Sequence, residues 1–399
     1  MREPMPVNLI DTLHSSQPNI QLHIQNWTRK SIDTPFGDPG ELALANSPIL
    51  RTIHASVYDG NQIDLQEAAF MRIVALAPNL ESYNWSSHST GGCIVYRLPG
   101  RSHPEEVRLR KEFDVGQPVK KVLKAICIDQ NVLSVKDQAR IVDLSRLERL
   151  EGVHLNGNVD VGLGDVFSSL KFLDVKIRAW GTEISPESIQ GFLCSLPSLE
   201  GLSILDGLKY INLNGLMSYH GPTLQTLHLH ETEDTNLQDP RKTLSLDDLC
   251  LIRDSCPHLY NLGIDISYIR ADPQESEVYA SLSTFGNVRS LTLNYDLGIG
   301  FCSSFHQVAV GCQQEGIKHQ INALIDKSSN VFAKLEAIWA EAAGPKLKEM
   351  LIQVGKQDRE MGKGRPPHWV TYEQNMRAWY RMKNAVVVAL KPENSFDYY

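Results

Sequence analysis

The hydrophobic pattern of residues 244–266, LSLDDLCLIRDSCPHLYNLGIDI, changes its period part-way along. Leu249 and Ile252 are spaced as on one face of a helix. Beyond a central proline, Leu262 and Ile264 alternate with polar or small residues, as the side chains of a strand do. Because proline ends a helix, the segment predicts a helix followed directly by a strand.

Residues suited to cap a helix mark two of the predicted helix starts. Ser245 is followed three residues later by Asp248, which predicts a capping box. Ser185 precedes Pro186, which suits the first position of a helix because its missing N–H has no partner there in any case. The two helices are therefore expected to begin at these residues.

The helix-to-strand unit recurs along the chain. Six segments share the pattern Pro-x-Leu with apolar residues three and five positions after the leucine, and four more keep the pattern without the proline. The leading residues are Leu50, Leu80, Leu199, Leu224, Leu259 and Leu347 with proline, and Leu123, Leu150, Leu170 and Val288 without it. One such match means little, but a series in order indicates leucine-rich repeats, each a short strand and a helical return.

The predicted fold is therefore α/β, a curved leucine-rich-repeat solenoid with a parallel sheet on its concave side and helices on its convex side. We expect an N-terminal cap and loop over residues 1–46 and the solenoid over residues 47–355. Residues 88–118 read as an insertion, and residues 321–345 as a long helix. Residues 356–399 are expected to form a linker, a capping helix and a tail.

Composition narrows the function. The chain has 399 residues, of which 42% are hydrophobic and 22% charged, as in an ordinary globular protein. A net charge of −8 argues against a general nucleic-acid binder. No apolar run is long enough to span a membrane, and the seven cysteines form no Cys-x-x-Cys pair. We therefore expect a monomer in the cytosol or nucleus that binds neither nucleic acid nor membrane.

The charges are distributed unevenly. Acidic residues prevail over residues 224–280, and basic residues over residues 344–383. Solvated faces of a repeat protein explain this, and a dedicated electrostatic docking site is the alternative.

Candidate chemistry is sparse. His228 and His230 lie on one face of a predicted strand with Glu231, Glu233 and Asp234 close behind, a set that resembles metal ligands. Nothing fixes the remaining ligands, so a polar surface is the favoured interpretation. Glycine-rich phosphate loops, nucleophile elbows and His-Glu-x-x-His motifs are missing from the sequence. We expect no cofactor, no metal and no enzymatic activity.

Partner binding is instead expected on the concave sheet, where the residues between the inward leucines face solvent because strand side chains alternate. A middle row comprises His54, Asn84, Cys127, His154, Asp174, Ser203, His228, Gly263 and Thr292. A flanking row comprises Ser56, Ser86, Asp129, Asn156, Lys176, His230, Asp265 and Asn294. Such polar rows suit recognition of a protein segment by hydrogen bonds, and a solvated face without a partner would look similar.

The sequence resembles the fungal F-box proteins with leucine-rich repeats. The resemblance rests on the irregular repeats, on SSQPNIQLHIQNWT leading to LALANSPILRTIHASV, and on the ending VTYEQNMRAWYRM. It implies a non-catalytic substrate receptor, in which the repeats hold a protein substrate and an F-box docks on the adaptor subunit of a cullin-type ubiquitin ligase.

The chain departs from this family because its repeats begin close to Met1 and no F-box precedes them. Binding to the adaptor subunit is therefore expected only if an F-box is encoded upstream. The alternative is a leucine-rich-repeat scaffold or regulator with no ubiquitin-ligase role.

Overall fold

The structure is a computed structural model of the chain. It describes residues 7–17, 19–29, 39–58, 63–88, 120–129, 135–155, 164, 166–177, 184–231, 242–267, 273–296, 349–354, 377–383 and 386–390. No helix in these ranges is both long and apolar enough to cross a membrane.

Strands and helices alternate along the described chain. The strands are β1 (Leu22–Trp27), β2 (Leu50–Tyr58), β3 (Ser82–His88), β4 (Ala125–Asp129), β5 (Arg149–Leu155), β6 (Phe172–Ile177), β7 (Gly201–Leu205), β8 (Thr226–His230), β9 (Asn261–Ser267), β10 (Ser290–Asp296), β11 (Glu349–Val354), β12 (Arg377–Lys383) and β13 (Val386–Leu390). The helices are α1 (Val7–Ser16), α2 (Pro39–Ala45), α3 (Ile63–Leu76), α4 (Val135–Ile141), α5 (Pro186–Ser195), α6 (Leu213–His220), α7 (Leu246–Ser255) and α8 (Pro273–Ser283).

The chain forms two compact units. The first contains β1 to β4 and most of β5, and its strands pair side by side in chain order. The second contains most of β6 and all of β7 to β13, again paired in chain order. Within each unit the strands of successive repeats are parallel, up to β11 in the second unit.

The apolar strand positions form the core of each unit. In the second unit Leu202 pairs in register with Leu227, and Leu227 with Leu262. These three side chains are at most 1% exposed. The alternation therefore buries one face of β7, β8 and β9, and the predicted α/β leucine-rich-repeat solenoid is confirmed.

A backbone hydrogen-bonding pattern that recurs between successive repeats keeps their strands in register. The Glu200 carbonyl accepts hydrogen bonds from the amides of Gln225 (2.8 Å) and Thr226 (3.1 Å) of the next rung. The Gln225 carbonyl in turn accepts from Tyr260 (3.0 Å) and Asn261 (3.1 Å). These hydrogen bonds therefore align β7, β8 and β9 with one another at the residues where the strand pairing starts.

The predicted helix starts are confirmed. The Ser245 side chain accepts from the Asp248 amide, and the Asp248 carboxylate accepts from the Ser245 amide, which completes the capping box of α7. Ser185 caps α5, and Pro186 is its first residue. Caps of this kind satisfy amides that have no partner within the helix.

His220 joins the end of α6 to the preceding repeat. Its Nδ1 accepts from the Leu199 amide (3.3 Å) and its Nε2 donates to the Leu193 carbonyl (3.0 Å). Burial lowers the pKa of this imidazole, while the Leu193 carbonyl acts in the opposite direction. The buried ring is therefore neutral and satisfies one donor and one acceptor of the neighbouring backbone.

Aromatic side chains fill the core of the first unit. The ring of Phe70 on α3 lies 5.0 Å from Trp85, 5.7 Å from Trp27 and 5.8 Å from Tyr83, centroid to centroid. The Tyr83 hydroxyl donates to the buried Gln138 carboxamide, and burial raises the pKa of Tyr83 well above its ordinary value. This cluster connects α3 with the strands β1 and β3.

The structure corrects the loop predicted at the end of residues 1–46, because α2 begins at Pro39. Leu44 and Ala45 of this short helix are buried. Glu41 in its first turn pairs with Arg29 at 2.9 Å. The Gly- and Pro-rich residues before it suggested a loop, whereas tertiary packing stabilises a helix too short to form alone.

The C-terminal capping helix predicted within residues 356–399 is also wrong where the chain is described. Strand β12 pairs antiparallel with β11, and β13 pairs antiparallel with β12. A sheet edge has unpaired backbone groups, and these strands supply partners for them. The predicted helix at residues 321–345 lies outside the described residues, as does the insertion at residues 88–118 apart from His88.

Candidate functional site

The sheet face opposite the buried leucines, which we term the outer face, carries the middle row. In the second unit Ser203 of β7 pairs with His228 of β8, His228 with Gly263 of β9, and Gly263 with Thr292 of β10. Ser203, His228 and Thr292 are half-buried, as is Asp174 on β6. The structure therefore places Ser203, His228, Gly263 and Thr292 in one row across four neighbouring strands.

His228 lies closely on the neighbouring strand. A Cβ atom at Gly263 would lie 2.9 Å from its Cδ2 atom, so the missing side chain makes room for the imidazole. Its Nε2 is 3.3 Å from Asn261 Oδ1. The ring is thus held flat against the sheet, in an orientation that exposes part of it.

In the first unit the middle row begins with His54, Asn84 and Cys127, which are matched across β2, β3 and β4. All three are half-buried. Burial lowers the pKa of His54, and the nearby His23 lowers it further. His23 itself contacts the Thr52 hydroxyl through Nδ1 at 2.9 Å. The lowered pKa favours the neutral form of His54 on this part of the outer face.

The predicted position of His154 in the middle row is wrong. Ile126 pairs with Leu150 and Cys127 with Glu151, so Glu151 continues the row. An extra residue is accommodated at Gly152, whose φ of 72° is in the left-handed region that favours glycine. His154 follows it on β5 and is half-buried. Asn156 lies outside the described residues.

The flanking row is not an open surface in the second unit. Lys176, His230, Asp265 and Asn294 are 6%, 9%, 1% and 6% exposed. Their expected exposure is therefore corrected, because these polar side chains are covered by the surrounding protein. Asp129 is the last residue of β4, and its side chain lies outside what the structure describes.

The buried flanking residues form a polar network. His230 Nδ1 is 2.6 Å from Asp265 Oδ1, and the Glu231 amide donates to Asp265 Oδ2 at 2.6 Å. Lys176 Nζ lies 3.8 Å from the carboxylate of Asp206, a residue just beyond β7. Buried polar groups need such partners because each would otherwise lose its hydrogen bonds with water. The network links β6, β8 and β9.

Glu231 is a member of this network that the binding rows did not include. Burial raises its pKa to about 7. The Leu208 amide, which donates to the carboxylate, lowers the pKa, while Asp206 and Asp265 raise it by like-charge repulsion. The sequence drew attention to Glu231 only as a candidate metal ligand directly after a strand, and neither feature reveals burial.

The described residues contain no group of three or more His, Cys, Asp and Glu side chains arranged to hold a metal ion. His230 is hydrogen-bonded to Asp265, and His228 lies on Gly263. Glu233 and Asp234, the further ligand candidates, lie outside the described residues. The chemistry that the outer face offers is hydrogen bonding.

No family model matches the chain, and no curated protein matches it. Among solved structures the chain is similar to the leucine-rich repeat-containing protein LegL7 from Legionella pneumophila, with 14% sequence identity and a TM-score of 0.36. The similarity covers 73% of this chain and 79% of that chain. The fold assignment rests on the strand register and buried positions described above.

Proposed function

We propose that the protein is a non-catalytic repeat protein that binds a partner protein on its outer face. The observation that carries the proposal is the register-matched middle row of the second unit, which runs from Ser203 through His228 and Gly263 to Thr292. Neighbouring strands are about 4.8 Å apart, so the row offers hydrogen-bonding groups at regular intervals. A partner segment crossing the strands would meet them in sequence.

Ser203→Arg should abolish partner capture while leaving stability nearly unchanged. Ser203 is half-buried in the centre of the middle row, so an arginine there would project over its neighbours and block the face. Surface substitutions usually change stability by about 0.5 kcal/mol or less. The measurement is chemical crosslinking of the full chain in cells, followed by mass spectrometry and a binding assay with the purified partner.

Ser218→Arg is the matched control, since Ser218 is exposed on α6, away from the outer face. Partner binding should survive this change. Equal loss with both variants would contradict the assignment of the outer face, as would equal retention.

Within this proposal we favour a substrate receptor of a cullin-type ubiquitin ligase in the cytosol or nucleus. The sequence resemblance supports this choice, and the free thiols of the described Cys194, Cys250 and Cys256 fit a reducing compartment. The alternative, a scaffold without a ligase role, predicts the same outer face. Co-purification of the ligase adaptor with the native full-length gene product would support the receptor, and its absence from such complexes would favour the scaffold.

A further inference from the structure

A short 3-10 turn after β7, Leu208–Tyr210, depends on other repeats for its capping. Gly207 precedes it and provides no side chain to accept its first amides. The Glu231 carboxylate, at the end of β8, accepts from the Leu208 amide instead. Lys242, before α7, donates to the Leu208 carbonyl at 3.0 Å.

The carboxylate that caps this turn is surrounded by charged groups. Asp206 precedes the turn, Lys209 lies within it, and Asp265 approaches from β9. His230 on β8 is paired with Asp265. From β6, Lys176 contacts Asp206, and Lys242 lies beyond the turn. An ionised Glu231 is therefore close to two further carboxylates in a partly buried position, where repulsion is screened less than in water.

We infer that Glu231 is a proton-controlled clasp, which holds the Leu208–Tyr210 turn against β8 and β9 when its carboxyl group is protonated and loosens the turn when it is ionised. The protonated group has no charge to desolvate and does not repel Asp206 or Asp265. The ionised group gains hydration and reduces its repulsion from the two aspartates by moving towards water. This movement would release the Leu208 amide.

The direction of the pH effect follows from the pKa values. The pKa of Glu231 is about 7 in the folded protein, compared with an ordinary value of 4.5. Between these values the closed state holds a proton that the open state has lost. The stabilisation is therefore complete below the lower value and is lost as the pH rises through the higher one.

Hydrogen exchange of the full chain, monitored by mass spectrometry on a peptide that contains the turn, tests the clasp between pH 5 and pH 8. The comparison is wild type with Glu231→Gln, which retains an oxygen acceptor for the Leu208 amide but cannot ionise. After correction for intrinsic exchange, wild-type protection should fall relative to the variant by up to about tenfold per pH unit from pH 5 to pH 7. Parallel profiles would overturn the inference.

Asp206→Asn is a second and independent test. Asp206 has a φ of 61°, a left-handed conformation that asparagine tolerates. Removing its charge should lower the pKa of Glu231 in the closed state, so that the fall in protection ends at a lower pH and is smaller than in wild type. An unchanged fall would show that repulsion does not operate the clasp, even if Glu231→Gln failed to fold.

Discussion

Leu227→Asp should lower the free energy of unfolding of the second unit by about 5 kcal/mol or more. Leu227 is fully buried and lies in register between Leu202 and Leu262. Truncating a buried leucine costs about 2–5 kcal/mol, and an unpaired carboxylate in the core adds its desolvation. Circular dichroism during denaturation in urea would measure the loss, and most of the variant should be unfolded in buffer.

Thr226→Asp is the matched control for this prediction. Thr226 precedes Leu227 on β8 and is half-buried on the outer face. The same aspartate should cost about 1 kcal/mol or less there, because it keeps its contact with water and loses only strand propensity. If both variants lost equal stability, the assignment of inward and outward faces would be wrong.

The strands of the repeats were predictable because the local sequence pattern and the tertiary packing favour the same structure. A residue such as Leu262 is apolar, follows a helix-ending proline and alternates with polar neighbours. All three signals place it in the core, where it is found. The capping box of Ser245 and Asp248 was readable for the same reason, since its two hydrogen bonds join residues close in sequence.

The register of β5 was not predictable in this way, because two matches to the repeat pattern overlap there. Leu147 and Leu150 have the same three-residue spacing as Leu150 and Val153, although only the second match has an apolar residue, Leu155, five positions after its first leucine. The structure selects the first, since the Glu148 carbonyl accepts from the amides of the next rung, as the equivalent carbonyls do elsewhere. Only pairing between strands decides the choice, and this moved His154 out of the middle row.

The C-terminal hairpin shows a different limit of the sequence. Val386 to Val388 are β-branched residues suited to a strand. We nevertheless expected a capping helix over this segment, because a stack of repeats needs a cap at its open end. The strand conformation of this segment is determined by the free edge of β11, with which β12 pairs in antiparallel orientation.

The sequence predicted which residues share the face of the candidate site, and the structure corrected how deeply several of them are buried. Alternation identified the residues that share the outer face, such as Ser203 and His228. It could not show which of them are buried, because the residues that cover them belong to a neighbouring repeat and are far away in the sequence. Asp265, for example, is buried against His230 and the Glu231 amide of the preceding repeat. Burial of this kind also determines the pKa of Glu231, which no local pattern encodes.

Gly221→Ala should destabilise the second unit by about 3 kcal/mol, although the change adds a single methyl group. Gly221 caps the end of α6, and a Cβ atom there would lie 2.6 Å from the carbonyl oxygen of Ser255 at the end of α7. Overpacking a rigid contact typically costs 1–3 kcal/mol, so about 3 kcal/mol is expected where the contact is with backbone. Urea denaturation would measure the effect.

Two further variants isolate the cause. Gly286→Ala adds the same methyl group where nothing lies within 4 Å, so stability should change by about 0.5 kcal/mol or less. Ser255→Gly in the Gly221→Ala background removes a Cβ atom that lies 3.0 Å from the added methyl group, but leaves the nearer carbonyl oxygen in place. It should therefore not restore stability. Full rescue would mean that side-chain crowding, rather than the approach of two helix ends through their backbones, requires glycine at this position.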